Sequence, residues 1–400
     1  MIDRPNYINE LIKFKDKDLI KIITGIRRCG KSTLMDLYKQ YLLKNGINKK
    51  QIISVNLEDL KYNFVENYMD LYNYITENLL EDKKNYVFID EIQIIPEFQK
   101  VADSLYLNKN IDLYITGSNA KLLSSELSTL LAGRYIEIKM LPLSFKEFIT
   151  TRESKDLETL YNEYISIGSF PYATQLGEDE VSKYLSSLFN DVIIKDVLIR
   201  KGITDELMLK SVATFTLDNI GNLLSSNNIA NTMTSNGRLI NVRTVEKYLE
   251  GFIESFFLYK AARYDIKGKQ YLKSGGKYYV SDLGLRYFIL GRKLGDRGHI
   301  LENVIYLELL RRGYDVYVGK VDDYEVDFVA INSEGRIYVQ VCETLKDNEN
   351  KILKRELNSL QKISDNYGKI ILTLDKIPRS NEEGIIVKNA LEWLIDDKTI

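Results

Sequence analysis

A chain of 400 residues is long enough for two or three separately cored domains. Its 57 acidic and 55 basic side chains leave a formal charge of −2, which excludes a uniformly basic nucleic-acid binder and confines any such contact to a local patch. The two cysteines, Cys29 and Cys342, stand far apart, which excludes a disulfide framework and a zinc site of ordinary spacing. No apolar run reaches the roughly eighteen residues of a membrane span, so no membrane partner is expected. The start, Met1-Ile2-Asp3-Arg4-Pro5, runs into a charged stretch without a signal-peptide core, and a cytoplasmic protein is predicted.

The first informative stretch is Asp18–Thr33, which opens with a short apolar, β-branched run predicted as a strand. Gly25-Ile26-Arg27-Arg28-Cys29-Gly30-Lys31-Ser32 follows, then a helical pattern from Thr33 to Leu43. Strand, Gly-x-x-x-x-Gly-Lys-Ser and helix, in that order, are the context of a phosphate-binding loop. The two glycines let the backbone turn tightly and point successive N–H groups at an anion, and the helix adds its positive end. Lys31 is expected to reach the β- and γ-phosphates and Ser32 to ligate magnesium. Gly25, Arg28, Gly30, Lys31, Ser32 and Thr33 form the expected nucleotide-binding set on this side.

A second strand is predicted over Gln51–Leu57 and a helix from about Glu66 to Glu81. Tyr86-Val87-Phe88-Ile89-Asp90-Glu91 is an apolar strand ending in two carboxylates. There Asp90 is expected to position magnesium and Glu91 to polarise the attacking water. Ile111–Thr116 is a further strand, tipped by Gly117-Ser118-Asn119; Ser118 or Asn119 either senses the γ-phosphate or caps a helix running from Ala120 to Leu131. Arg134 follows Gly133, just before a fifth strand at Tyr135–Met140. It either complements the preceding helix end or acts as an arginine finger on a neighbouring subunit's γ-phosphate. Five strands alternating with helices predict a parallel, doubly wound sheet with its ligand at the carboxyl strand ends.

Pro142 begins a helical region reaching about Lys201, read as a lid, with Leu185, Leu188, Val192, Ile193 and Val197 on one buried face and Arg200 solvated. From Ile203 to Leu290 the pattern is winged-helix: a small helix around Ile229–Met233, a second over Val242–Phe256 capped by Asn241, and strands Leu258–Tyr264 and Gln270–Val280. Arg243 and Lys247 on that helix, and Lys267 and Lys269 at the hairpin tip, are the expected nucleic-acid contacts, with Lys260, Arg263, Lys273 and Lys277 nearby. Beyond the connection Gly291–Gly298 come a helix with Glu302, a strand, a strand with Asp327 and a strand with Gln340. That succession is the scaffold of restriction-endonuclease-like enzymes, whose sites pair such carboxylates with a Glu-x-Lys. Here the third element reads Gln340-Val341-Cys342, so the lysine is missing and a degenerate nuclease site is expected; His299 is assigned to helix-start packing.

The phosphate loop, Phe88-Ile89-Asp90-Glu91-Ile92-Gln93, Thr116-Gly117-Ser118-Asn119-Ala120, Gly133-Arg134 and Pro142-Leu143-Ser144-Phe145 together resemble prokaryotic AAA-type ATPases that carry a C-terminal domain of unknown function. The likeness continues through Lys277–Arg286, Glu302-Asn303 and Glu325–Phe328. It implies an α/β fold with an AAA+ core (1–141), a helical lid (142–202), a winged helix (203–290) and a restriction-endonuclease-like end (291–400). The function expected is a magnesium-dependent ATPase that forms a homo-oligomeric, hexameric ring and binds or remodels duplex or branched DNA. An ATP-gated signalling or scaffold protein is the alternative, and a DNA-cleaving enzyme the third.

Overall fold

The computed structural model describes residues 2–120, 131, 133–291, 296–346, 351–376 and 380–396, with the side chains of 178, 273 and 274 excepted. The chain forms two compact units, one of residues 1–142 with 254–256, the other of 143–253 with 257–400. In the first unit lie β1 (Ile20–Thr24), β2 (Ile52–Asn56), β3 (Asn85–Asp90), β4 (Ile111–Gly117) and β5 (Tyr135–Lys139). They form one parallel sheet in the order β2-β3-β4-β1-β5. Every residue of β1, β3 and β4 is buried, whereas β2 alternates and β5 is half open. A parallel sheet covered on both faces requires such unbroken apolar strands at its centre.

One face packs Ile22, Val55, Val87, Ile89, Leu113 and Ile115 against Leu71, Ile75 and Leu105. The other is aromatic. Phe88 stacks on Tyr114 with centroids 4.8 Å apart, and the Tyr114 hydroxyl lies 3.1 Å from that of Tyr38 on the helix Lys31–Lys44. Lys21 is fully buried in β1 and pairs with Asp112, which also accepts from Tyr114 at 2.8 Å. Chain order runs from β1 through that helix to β2, on the far side of β3 and β4. The strand order therefore reverses beside β1, and the crevice outside its carboxyl end is where such sheets take ligands. The helix expected over Ala120–Leu131 lies, for 121–130, outside the described residues.

The second unit opens with the helices Phe145–Ile149, Leu157–Ile167, Glu178–Ser187 and Lys195–Lys201. Leu185, Leu188, Ile193 and Val197 are buried, as their spacing predicts, whereas Val192, expected on the same face, is half-buried. Arg200 differs from expectation: it pairs with Asp196 and is only 12% exposed rather than solvated. The helices Ser226–Ser235 and Val242–Glu254 follow; Asn241 caps the latter, accepting from Thr244 N at 2.8 Å.

The strands β6 (Leu223–Leu224), β7 (Leu258–Asp265), β8 (Gln270–Val280), β9 (Asp315–Val321), β10 (Tyr324–Asn332), β11 (Gly335–Cys342), β12 (Gly368–Thr373), β13 (Ser380–Glu382) and β14 (Ile385–Asn389) join in a single sheet. Its order is β13-β14-β12-β11-β10-β9-β7-β8-β6. The hairpin β7–β8, read in the sequence as the wing of a winged helix, is built into this larger sheet: β7 pairs in parallel with β9, Tyr264 opposite Gly319. The segments expected as lid, winged helix and last domain fall, apart from 142 and 254–256, in one compact unit.

Candidate functional site

The loop after β1 is shaped by backbone sterics. Gly25 has φ +152°, and a Cβ there would meet the Met140 carbonyl oxygen at 2.1 Å, because the chain leaving β5 runs alongside, with Met140 N donating to Thr24 O at 2.7 Å. Arg28 and Gly30 are both left-handed, at φ +69° and +104°, and Gly30 caps the helix Lys31–Lys44. The alternating backbone and the helix start present N–H groups to an anion. Arg4, far back in the sequence, ties the loop down, donating to Cys29 O at 3.3 Å and Leu141 O at 2.8 Å.

Lys31 is buried beneath the loop. Its ammonium donates to Gly25 O at 3.0 Å and Ile26 O at 3.3 Å and stands 3.6 Å from Glu91 Oε1. Ser32, Thr33 and Arg28 are exposed. The acidic tip of β3 is fixed by its neighbour β4: Thr116 donates to Asp90 Oδ1 and accepts from Glu91 N at 3.0 Å. Left-handed backbone at Glu91, φ +55°, turns its side chain toward Lys31.

Glu91 Oε2 accepts from Ser118 Oγ at 2.9 Å and from the Gln93 amide. Ser118 Oγ in turn accepts from Arg27 Nε and from Gln93 Nε2, each at 3.3 Å. Burial pushes the Glu91 carboxyl upward, but Lys31, the donors Gln93 and Ser118 and the charge of Arg27 outweigh it and hold the group below its ordinary value. An ionised carboxylate therefore lies beside a buried ammonium at the carboxyl end of the sheet. Ser32 and Asp90 offer the hard oxygen donors that suit magnesium, so the residues fit the metal a triphosphate brings.

The structure thus gathers Gly25, Gly30, Lys31, Asp90, Glu91 and Ser118 at the carboxyl end of the sheet, with Asn119 next in the chain. Arg134 is not among them. It precedes β5, whose first residue pairs with Ile20 at the start of β1, and so lies at the opposite end of the sheet. There it pairs with Asp103 and lies over the Tyr106 ring at 5.4 Å. Sequence reasoning missed Thr116, Gln93, Arg27 and Arg4. Thr116 and Gln93 do carry a signal, being polar residues at the end of an apolar strand and two places beyond the acidic pair.

In the second unit Arg243 and Lys247 are exposed one turn apart on their helix, and Lys269 is exposed at the hairpin tip, while Lys267 is held by Asp322 at 2.6 Å. The side chain of Lys273 lies outside those described. Lys277 corrects the expectation of a basic hairpin: it is 3% exposed and points inward from β8. Its ammonium lies 2.8 Å from Glu302, 2.8 Å from Glu325 and 3.4 Å from Asp327.

Glu302 also accepts from Tyr279 at 2.6 Å, and His299 lies 3.6 Å from it. Gln340 bridges Asp327 N (2.7 Å) and Glu356 (2.7 Å). Lys277, His299, Glu302, Asp327, Gln340 and Glu356 line a cavity of 820 Å³. The ammonium beside these carboxylates comes from Lys277 on β8, not from β11. Burial and Glu302 push the Asp327 carboxyl up to about 7 despite Lys277, whereas Glu302, although buried, is held below its usual range by Lys277, His299 and Tyr279.

These features define the class: a phosphate loop on a β2-β3-β4-β1-β5 parallel sheet makes the first unit an AAA-type P-loop domain, and the AAA domain family matches residues 17–149. A domain of unknown function (DUF8612) matches 158–295, running across the boundary expected at 202. An uncharacterized protein of Haemophilus influenzae is 41% identical over 400 residues, covering 99% of both chains. The uncharacterized protein MJ1544 of Methanocaldococcus jannaschii is 31% identical, over 92% of this chain and 86% of its own. The chain belongs to the family these proteins form. Among solved structures, the Walker-type ATPase PABY2304 of Pyrococcus abyssi is 12% identical with a TM-score of 0.42, over 72% of this chain and 96% of that one. Among the described residues no helix is long and apolar enough to cross a membrane.

Proposed function

We propose that this chain is a magnesium-dependent ATPase that assembles with copies of itself, in a hexameric ring, and couples ATP turnover to binding or remodelling DNA. The observation that carries the reading is the convergence of Lys31, Asp90 and an ionised Glu91 on the crevice outside β1. Lys31 binds the β- and γ-phosphates, giving up its carbonyl partners Gly25 and Ile26 for stronger, charge-assisted bonds. Ser32 and Asp90 are the residues to hold magnesium, which when bound neutralises charge on the phosphoryl oxygens. Glu91 takes the proton of the attacking water and Ser118 keeps its carboxylate aimed. Arg134 serves a neighbouring subunit, which requires it to leave Asp103. Exposed Arg243, Lys247 and Lys269 supply the phosphate contacts. Turnover measured with duplex, single-stranded and branched DNA tests the coupling: stimulation that falls steeply with salt supports it, and indifference to all three overturns it.

Two observations favour other readings. The inward Lys277 and the paired Lys267 leave the hairpin less basic than its sequence, which suits an ATP-gated scaffold; nucleotide-dependent change of assembly state without DNA stimulation is its mark. The same Lys277, placed between Glu302 and Asp327, gives the cavity the ammonium that a cleaving site uses. Metal-dependent nicking that disappears in Asp327→Ala is the test of that reading.

A further inference from the structure

Within the nucleotide crevice one side chain is used at one end only. The Gln93 amide nitrogen donates to Glu91 Oε2 and lies 3.3 Å from Ser118 Oγ, so it is fixed against the base. Its carbonyl oxygen, Oε1, is buried and takes no hydrogen bond among the described residues. Buried carbonyl oxygens are satisfied in stable structures, and an orphan beside a functional carboxylate needs a specific explanation. Ser118 offers no such spare group, since its hydroxyl donates to Glu91 and accepts from Arg27 and Gln93. The short turn Ile92–Ile94, which follows the left-handed Glu91, sets Gln93 in this place.

We infer that Gln93 is the positioning residue of hydrolysis: its N–H fixes Glu91, and its carbonyl oxygen receives one hydrogen of the attacking water. The inference rests on the ATPase reading and deepens it. Water held in this way points one O–H at the Glu91 carboxylate and the other at Gln93, leaving a lone pair of its oxygen directed at the γ-phosphorus. Glu91 takes the first proton as the oxygen–phosphorus bond forms. The bond from that phosphorus to the β–γ bridging oxygen breaks, and its electron pair leaves with the diphosphate. The second hydrogen stays on the phosphate product, and Glu91 returns its proton to solvent. An amide suits this role because it presents a fixed donor and a fixed acceptor in one plane.

The test uses the full chain with two substitutions, Gln93→Met, which keeps length without an amide, and Gln93→Asn, which keeps the amide but shortens its reach. Binding of a nonhydrolysable ATP analogue with magnesium is expected to stay within about twofold of wild type in both, while kcat falls about 10²-fold, the range of positioned acid–base catalysis. Affinity for ADP with aluminium fluoride, which mimics the phosphoryl group with its in-line water, is expected to fall at least about tenfold, a loss confined to transition-state geometry. Unchanged kcat in either variant overturns the inference, and so does a loss of analogue affinity that matches the loss of kcat. A wild-type chain that binds no magnesium–ATP overturns the ATPase reading with it, whereas a wild type that turns over beside an equally fast Gln93→Met overturns this inference alone.

Discussion

Thr116 shows how much of the site rests on single hydrogen bonds. Its hydroxyl donates to Asp90 and accepts from the Glu91 backbone, so Thr116→Val leaves two buried polar groups without that partner. A loss of about 1–3 kcal/mol in urea unfolding is expected, with turnover lowered and its magnesium requirement raised; unchanged values of all three would remove Thr116 from the site. Glu91→Gln is expected to keep ATP binding and lose about 10²–10⁴-fold in hydrolysis, and full turnover by this variant would dismiss Glu91 as base. The sign of the pH dependence follows from the same residue. Its folded carboxyl lies below the ordinary 4.5, so the ionised base, and the stability its partners give it, are present above 4.5 and lost as pH falls below that value. Turnover limited by Glu91 should therefore be level from pH 8 to 6, and an acid limb in that interval, traced to Glu91, would contradict the assignment.

Lys277 carries the matching argument in the second unit. Removing it by Lys277→Met takes from the buried, ionised Glu302 its ammonium partner and pushes Asp327 further toward its neutral form, at an expected cost of about 3–5 kcal/mol in urea unfolding. A variant as stable as wild type would mean that Glu302 sheds its charge or reaches water. Its sequence context hid this role. A lysine in a strand with other basic residues reads as outward, and only the packing of β8 beneath the helix Arg297–Arg311 turns it in. Arg4 was hidden for a related reason, because its carbonyl partners, Cys29 and Leu141, are assembled only by the fold.

At the scale of elements, β1, β3 and β4 were legible because strands buried on both faces are written as unbroken apolar runs. The phosphate loop was legible because its glycines and lysine are contiguous. Gly25 was assigned by motif, yet the close approach of the Met140 carbonyl, which no local pattern records, gives it a second reason. The helices and the hairpin of the second unit were placed by periodicity, but the parallel pairing of β7 with β9 joins segments some fifty residues apart and leaves no local mark. On the proposed DNA reading, the cations left exposed for it are Arg243, Lys247 and Lys269. Arg243→Ala and Lys247→Ala should each weaken binding and reduce the slope of log affinity against log salt by about 1. Unaltered slopes in both would move any DNA contact off this helix.

For the whole molecule, Arg134 separates a ring from a monomer that works alone. It lies at the end of the sheet away from its own Lys31, so a part in hydrolysis requires a second copy. Arg134→Ala should abolish most turnover, and mixing it with Lys31→Ala subunits should restore a fraction; mixed assemblies without rescue would return Arg134 to a structural role with Asp103. A nonhydrolysable ATP analogue at a hundred times its dissociation constant should stabilise the first unit by about 2.7 kcal/mol, and DNA alone should not reproduce that gain. All of this depends on the crevice outside β1 taking a triphosphate. Calorimetric titration of the full chain with that analogue, with and without magnesium and beside Lys31→Ala, tests it most directly. Saturable, magnesium-dependent binding at one site per chain that Lys31→Ala loses is the expected result; a wild-type chain that takes up no adenine nucleotide in either condition would contradict the account.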